Sequence, residues 1–320
     1  MASIRQILQA TVVGFAAMAS ALPGLPKLSS RALRAYDLAA RQATSTGLPA
    51  GLTDVDILQF ALTLENLETA FYQQGFAQFP ASDFQALGLS QQQITDLQSI
   101  GATEQVHVTT LLSAIAGTGT QPVAPCTYNF GFTTAKNMVA TASVLENIGV
   151  SAYLGAAPLI TTPSILTVAA EIVTVEARHQ TFIRAASQVL AVPSAFDTPL
   201  GIRSVFTLAA GFISSCPTGS NLAITPFSSL NMTSPASGSS DIAAGTVIQL
   251  QTAATGGSFC SFTNGGQPGG AAFSPFANGA CAVPQNLAGL VYVHITNAAP
   301  LTGVLTDDIT LAGPMVMVVS

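Results

Sequence analysis

Six side chains in this sequence have the types and the spacing to hold a pair of metal ions. Glu104 and His107 form one Glu-x-x-His pair, and Glu176 and His179 form another. Glu65 and Glu146 each stand in a Leu-Glu-Asn tripeptide, with Tyr72 and Tyr153 seven residues further on. Residues three apart share a helix face, so each Glu-x-x-His pair can reach one point. Along the chain the order is Glu, Glu-x-x-His, Glu, Glu-x-x-His, one element on each of four predicted helices. That arrangement builds a di-metal carboxylate centre in the core of a helix bundle. Four carboxylates and two divalent ions sum to zero charge, which makes such a cluster bearable away from water.

Composition sharpens the pattern. The chain has six glutamates and three histidines, and four of the first and two of the second fill it. Their neighbours are apolar: Phe60, Leu64, Leu111, Val144, Leu145, Val173 and Val175. Burying an unpaired carboxylate costs several kcal/mol, so four converging on one core demand cations or protons. Any one of these residues alone reads more readily as a solvated surface group or an ordinary core polar residue; six in register on a repeated frame do not. Glu68 competes with Glu65 for the first-helix position, and the repeat selects Glu65 by aligning it with Glu146. Glu171, five before Glu176, falls on another face and is expected at the surface or behind the ligands, and Arg178 is expected in solvent, with pairing to a carboxylate as the alternative. His294, between Val293 and Ile295 on a predicted strand, reads as an ordinary surface residue. No serine–histidine–acid set and no Gly-x-Ser-x-Gly elbow is found, so no catalytic residues are assigned.

The elements that position these residues can be read from caps and breakers. Asp54 is the expected cap of a helix running to about Gly75, with Val55, Leu58, Leu62, Leu64, Leu67 and Phe71 as its apolar positions. Ser90 with Gln93 is a capping-box pattern that opens a second helix, to about Ala116. A third is expected from Thr133 to Ala157, and a fourth from Ser164 to Leu190, with a short fifth around Ile202 to Ile213. After Cys216 the character changes: residues 221–320 lack glutamate and are rich in Gly, Pro, Ser and Thr. Alternating runs at 245–250 and 290–295 predict strands of a small β-sandwich. The expected organisation is a signal peptide at 1–21, an N-terminal arm at 22–50, a four-helix bundle at 51–215 and a β-rich domain at 216–320.

The signal peptide rests on Arg5, the apolar stretch Thr11–Met18 and the small-x-small Ala19-Ser20-Ala21. That stretch is too short to span a bilayer, which takes about 20 apolar residues, and no later segment reads as transmembrane. Only 8% of residues are charged, against about 25% in ordinary soluble proteins, which suits an extracellular surface. A net charge of −6 and nine Lys and Arg leave no basic stripe for nucleic acid. Four cysteines without a CxxC pair fit disulfides rather than a zinc site. Three pairings are open, of which Cys260–Cys281 with Cys126–Cys216 is favoured. Asn231-Met232-Thr233 is a glycosylation sequon.

The segments Asp56–Glu65, Glu104 with His107, Leu145–Gly149 with Ala152–Ala156, and Glu176–His179 resemble the secreted ferritin-like proteins of fungi. That family is similar to the stress-response and desiccation-related proteins. The resemblance covers about residues 50–215 and implies a ferritin-like bundle. The function expected is a secreted protein with an iron or manganese pair (zinc suits the donors less) held by Glu65, Glu104, His107, Glu146, Glu176 and His179. Such a centre would be an oxidase type acting on dioxygen, peroxide or a small molecule. The alternative is a non-catalytic stress or cell-wall protein that uses the bundle for sequestration or structure, with the β domain contacting a wall or glycan.

Overall fold

The computed structural model describes residues 52–220, 222–235 and 242–319. The expected signal peptide and arm lie outside the described residues. Helix α1 (Asp54–Gln78) is capped by Thr53, not Asp54. The Thr53 hydroxyl accepts from the Asp56 N–H, and the Asp56 carboxylate accepts in return from the Thr53 N–H at 2.8 Å. Asp54 instead accepts from the backbone N–H groups of Thr161 and Thr162, each at 2.8 Å, tying the start of α1 to a distant turn. The helix passes through Gly75, whose missing side chain makes room for Met138. A short helix α2 (Ala81–Ala86) that the sequence pattern did not announce follows. Helix α3 (Gln91–Gly117) opens on the expected Ser90–Gln93 capping box.

Helix α4 (Ala135–Ala156) is capped by Thr134, and Pro158 lies in the 3-10 turn that ends it. Helix α5 (Pro163–Ala186) carries Pro163 in its first turn, where a missing N–H is harmless, and stops short of Leu190. A final helix α6 (Ile202–Ala210) packs back on the bundle. The two tight pairings are α1 with α3 and α4 with α5. Each runs antiparallel: Tyr72 lies against Gly101, and Gly149 against Glu176.

Strands β1 (Thr127–Tyr128) and β2 (Ile213–Ser215) pair beside the Cys126–Cys216 disulfide. Beyond them come β3 (Asn231–Ser234), β4 (Val247–Gln251), β5 (Phe259–Thr263), β6 (Ala271–Pro275), β7 (Ala280–Ala282), β8 (Gly289–Thr296) and β9 (Thr310–Val319). They form two antiparallel sheets, ordered β3-β4-β7 and β6-β5-β8-β9. Ile248 and Leu250 of the first share one core with Phe262, Val291 and Val293 of the second. Cys260–Cys281 joins β5 to β7 and so staples sheet to sheet. Both disulfides are those favoured from sequence. The fold is thus a helical region followed by a region of antiparallel sheets. No helix among the described residues is long and apolar enough to cross a membrane.

Strand β8 is buried along its whole length, which overturns the surface reading of His294. Val291, Val293 and Ile295 face the sheet core, while Leu290 and Tyr292 belong to the bundle core. His294 lies on the bundle side, fully buried, with its Nε2 3.2 Å from Ser204 Oγ of α6. Burial alone drives its pKa down to about 3, so it is a neutral packing residue. Alternation with apolar neighbours marks a strand with an outer face, but here that face is covered by helices.

Candidate metal centre

The α1–α3 and α4–α5 pairs turn Glu65, Glu104, His107, Glu146, Glu176 and His179 into one point of the bundle core. All six are buried, the carboxylates at 1% exposure or less and the histidines at 8% and 7%. Their donor atoms fall into two overlapping groups, each within 4.8 Å: Glu65, Glu104, His107 and Glu176, and Glu104, Glu146, Glu176 and His179. Glu104 and Glu176 belong to both. Glu171 and Arg178 are exposed, as expected.

Both rings present Nδ1 to the carboxylates. His107 Nδ1 lies 2.9 Å from Glu104 Oε2 and 3.3 Å from both Glu65 Oε2 and Glu176 Oε1. His179 Nδ1 lies 2.8 Å from Glu104 Oε1 and 3.1 Å from Glu146 Oε2. On its other side, His179 Nε2 is 3.0 Å from Thr103 Oγ1. That hydroxyl already donates to the Ile100 carbonyl, so it accepts from Nε2–H. A neutral ring of this tautomer would aim its Nδ1 lone pair at carboxylate oxygens, an arrangement that calls for a cation between them, a proton or a metal ion.

The tyrosines cross between the halves of the repeat. Tyr72 of α1 donates to Glu146 Oε1, and Tyr153 of α4 donates to Glu65 Oε1 at 2.5 Å. Each outer glutamate is therefore oriented by the other half. Buried among carboxylates, both phenols are held well above the ordinary tyrosine range and stay protonated donors.

One N–H per ring cannot satisfy so many oxygens. Glu176 Oε2 has no hydrogen-bond partner although fully buried, and Glu65 Oε2, Glu104 Oε1 and Glu176 Oε1 have only a ring nitrogen that they share with other oxygens. An unsatisfied buried oxygen costs about 1–3 kcal/mol, more when charged. Without a cation, protons must fill the gap. Burial pushes Glu65 up to about 7 and Glu176 well above the usual carboxylate range. Burial opposes ionisation of Glu104 too, yet bonds to both rings outweigh it and hold it down at about 2. Burial would likewise lower both rings, but the carboxylates hold His107 up at about 12 and His179 at about 9. Two divalent ions would satisfy these oxygens and replace these protons, so the donor set fits a metal pair.

Residues 53–189 match the family model of the ferritin-like domain. No curated protein matches the chain. The ferritin-like match ends within the segment after α5, so it spans all six clustered residues and neither of the two sheets formed by β3 to β9.

Three participants escaped the sequence pattern. Glu68 is 4% exposed and is pushed well above its usual value by burial and by the carboxylates around it. The donor groups contain Glu65 and not Glu68, yet residues three apart share a helix face and both turn inward. Gly149 and Thr103 are the others; the glycine standing where α1 has Glu68 was the available signal. Beside the cluster, a small apolar cleft is lined by Ile57, Leu64, Leu111, Ala152, Tyr153 and Val168 among others.

Proposed function

We propose that this chain is a secreted protein whose ferritin-like domain holds an iron or manganese pair and reacts with dioxygen or peroxide. Glu65, Glu104, His107, Glu146, Glu176 and His179 would hold the ions, Glu104 and Glu176 belonging to both donor groups. The observation that carries this is the pair of overlapping donor groups whose buried oxygens outnumber the protons the two rings can give them. Carboxylate-rich sites with imidazole suit iron and manganese, whereas a structural zinc takes four donors and closes. Bound iron or manganese supplies electrons and Lewis acidity toward oxygen species.

The chain's own residues do the rest. Thr103 fixes the His179 ring, and Tyr72 and Tyr153 orient the outer carboxylates and offer protons beside them. The surrounding Leu64, Leu67, Leu145 and Ile148 exclude bulk water. The apolar cleft, which shares Tyr153 with the cluster, favours a small apolar reactant such as dioxygen. Two disulfides and the sequon at the exposed Asn231 support secretion. The deep burial of all six residues favours a second reading, a closed centre used for sequestration or as a structural clamp.

Elemental analysis of the natively produced protein tests the centre. About two iron or manganese ions per chain are expected, lost in His107→Ala/His179→Ala. No metal in either sample, even after anaerobic ferrous loading, would sink the proposal. Oxygen uptake or peroxide loss by the loaded protein separates reaction from storage; an inert loaded centre selects the second reading.

A further inference from the structure

Where the segment after α5 returns toward the sheets, it closes a cleft of about 200 Å³ against the outer side of α4 and α5. Its polar lining is Asn147 of α4, Gln180 and Thr181 of α5, Ser194 and Asp197 of the segment, and Asn264 just beyond β5. Asn147 and Gln180 directly follow Glu146 and His179, and neighbours in a helix do not share a face, so this cleft is separate from the metal centre. Close backbone approaches fix its frame. Gly265 and Gly289 have no room for a side chain, because the Phe196 carbonyl and the Pro193 ring lie against them. Thr198 Oγ1 accepts from the Gly265 N–H at 2.7 Å. Asn264 Nδ2 donates to the carbonyls of Ala288 and Leu290, and Asn147 Nδ2 donates to the Tyr292 hydroxyl.

Other groups of the lining are unspent. Thr167 and Thr174 of α5 return their hydroxyls to helix carbonyls. Among the described residues the Thr181 hydroxyl and the Gln180 amide make no such bond. The Asp197 carboxyl has neither a hydrogen bond nor a cationic partner among them, and burial alone raises its pKa. Beside it Phe196 borders the cleft while 66% exposed. A carboxylate, an amide and a hydroxyl with an aromatic ring at the rim suit a sugar. Its hydroxyls bond to the carboxylate and the amide, and its C–H face lies on the negative face of the phenyl ring. A bare cation fits worse: it draws six or more oxygens to within about 2.6 Å, which one carboxylate in so roomy a cleft does not supply.

We propose that this cleft binds a pyranose sugar, free or at the end of a glycan, with Asp197 and Gln180 on its hydroxyls and Phe196 against its ring. The site stands independently of the metal pair.

Calorimetric titration of the full chain with glucose, galactose, mannose and N-acetylglucosamine tests this. At least one is expected to bind, with one site per chain. Asp197→Asn keeps the shape and removes the charge; it should weaken that sugar by about tenfold, the scale of a charge-assisted hydrogen bond. Phe196→Ala, at an exposed position that tolerates truncation, should weaken it by about threefold or more. Oligomers that bind as well as the free sugar assign the site to glycan ends, and oligomers that fail assign it to the free sugar. No binding of any of these sugars, or binding that neither variant weakens, would overturn the proposal. So would Ca²⁺ bound in place of every sugar and lost in Asp197→Asn.

Discussion

The α1–α3 and α4–α5 pairs bring the same chemistry to the core and surround it differently. Each supplies a lone glutamate, a Glu-x-x-His pair and a tyrosine. In the first, His107 faces three carboxylates; in the second, His179 faces two and is braced from behind by Thr103 of the opposite pair. His107 is accordingly held higher, at about 12 against about 9. After the glutamate the segments diverge with purpose. Glu68 turns inward from α1, while Asn147 and Ser151 of α4 turn outward to Tyr292 of β8, at 2.9 and 2.8 Å from its hydroxyl. Glu65 with Glu146 and Tyr72 with Tyr153 keep the repeat, while Glu68 against Gly149 breaks it at the centre and Ala70 against Ser151 breaks it where α4 meets β8.

The largest expected break in this likeness comes from the shared glutamates. Glu176→Gln should cost both ions, whereas Glu65→Gln should cost one, as elemental analysis of each variant will read. Next comes Thr103→Ala, which frees the His179 ring and should weaken one ion by about tenfold or more, the scale for groups that orient a metal ligand. Titration of the metal-free protein with Co²⁺ checks it; an equal effect on both ions would contradict the one-sided bracing.

Acidity should separate loaded from metal-free protein. Glu65 stands at about 7 in the fold against an ordinary 4.5, so the metal-free fold binds protons that the unfolded chain releases. Its stabilising effect is complete below 4.5 and is lost as pH rises through about 7; both histidines, held above 6.5, act in the same direction to higher pH. Melting temperature of the metal-free protein should therefore fall by several degrees across that window. The loaded protein, which has exchanged those protons for ions, should instead lose metal and stability as pH falls. The smallest effect is at the docking side: Tyr292→Phe removes bonds to Ser151 and Asn147 and should cost about 1–3 kcal/mol in thermal unfolding with metal content unchanged.

The cluster was legible in the sequence because its residue types are scarce. With six glutamates in the chain, four at helical spacing could hardly be incidental. The capping box at Ser90 and both disulfide pairings were legible for similar reasons, each being a local signal or a choice among few. Glu68 was harder to place, since the repeat picks out one glutamate per helix while a helix face buries both Glu65 and Glu68. His294 misled because alternation reports a strand, not what covers its second face, and α6 arrives from far away in sequence. Thr53 took the cap from Asp54 because its partner Asp56 completes a reciprocal box, which freed Asp54 to hold the turn at Thr161.

The Cys126–Cys216 bond spans a sequence separation of 90 and encloses α4, α5 and α6 in a covalent ring. Between α5 and α6 the chain exposes Leu190 and Val192, at 69% and 67%, an inviting place for an extracellular protease to cut. A single cut there opens the ring without releasing anything: the helices of the cluster stay joined through sulfur to α6 and the sheets. Nicked protein should keep its full mass on a non-reducing gel, and part into two fragments only when thiol is added.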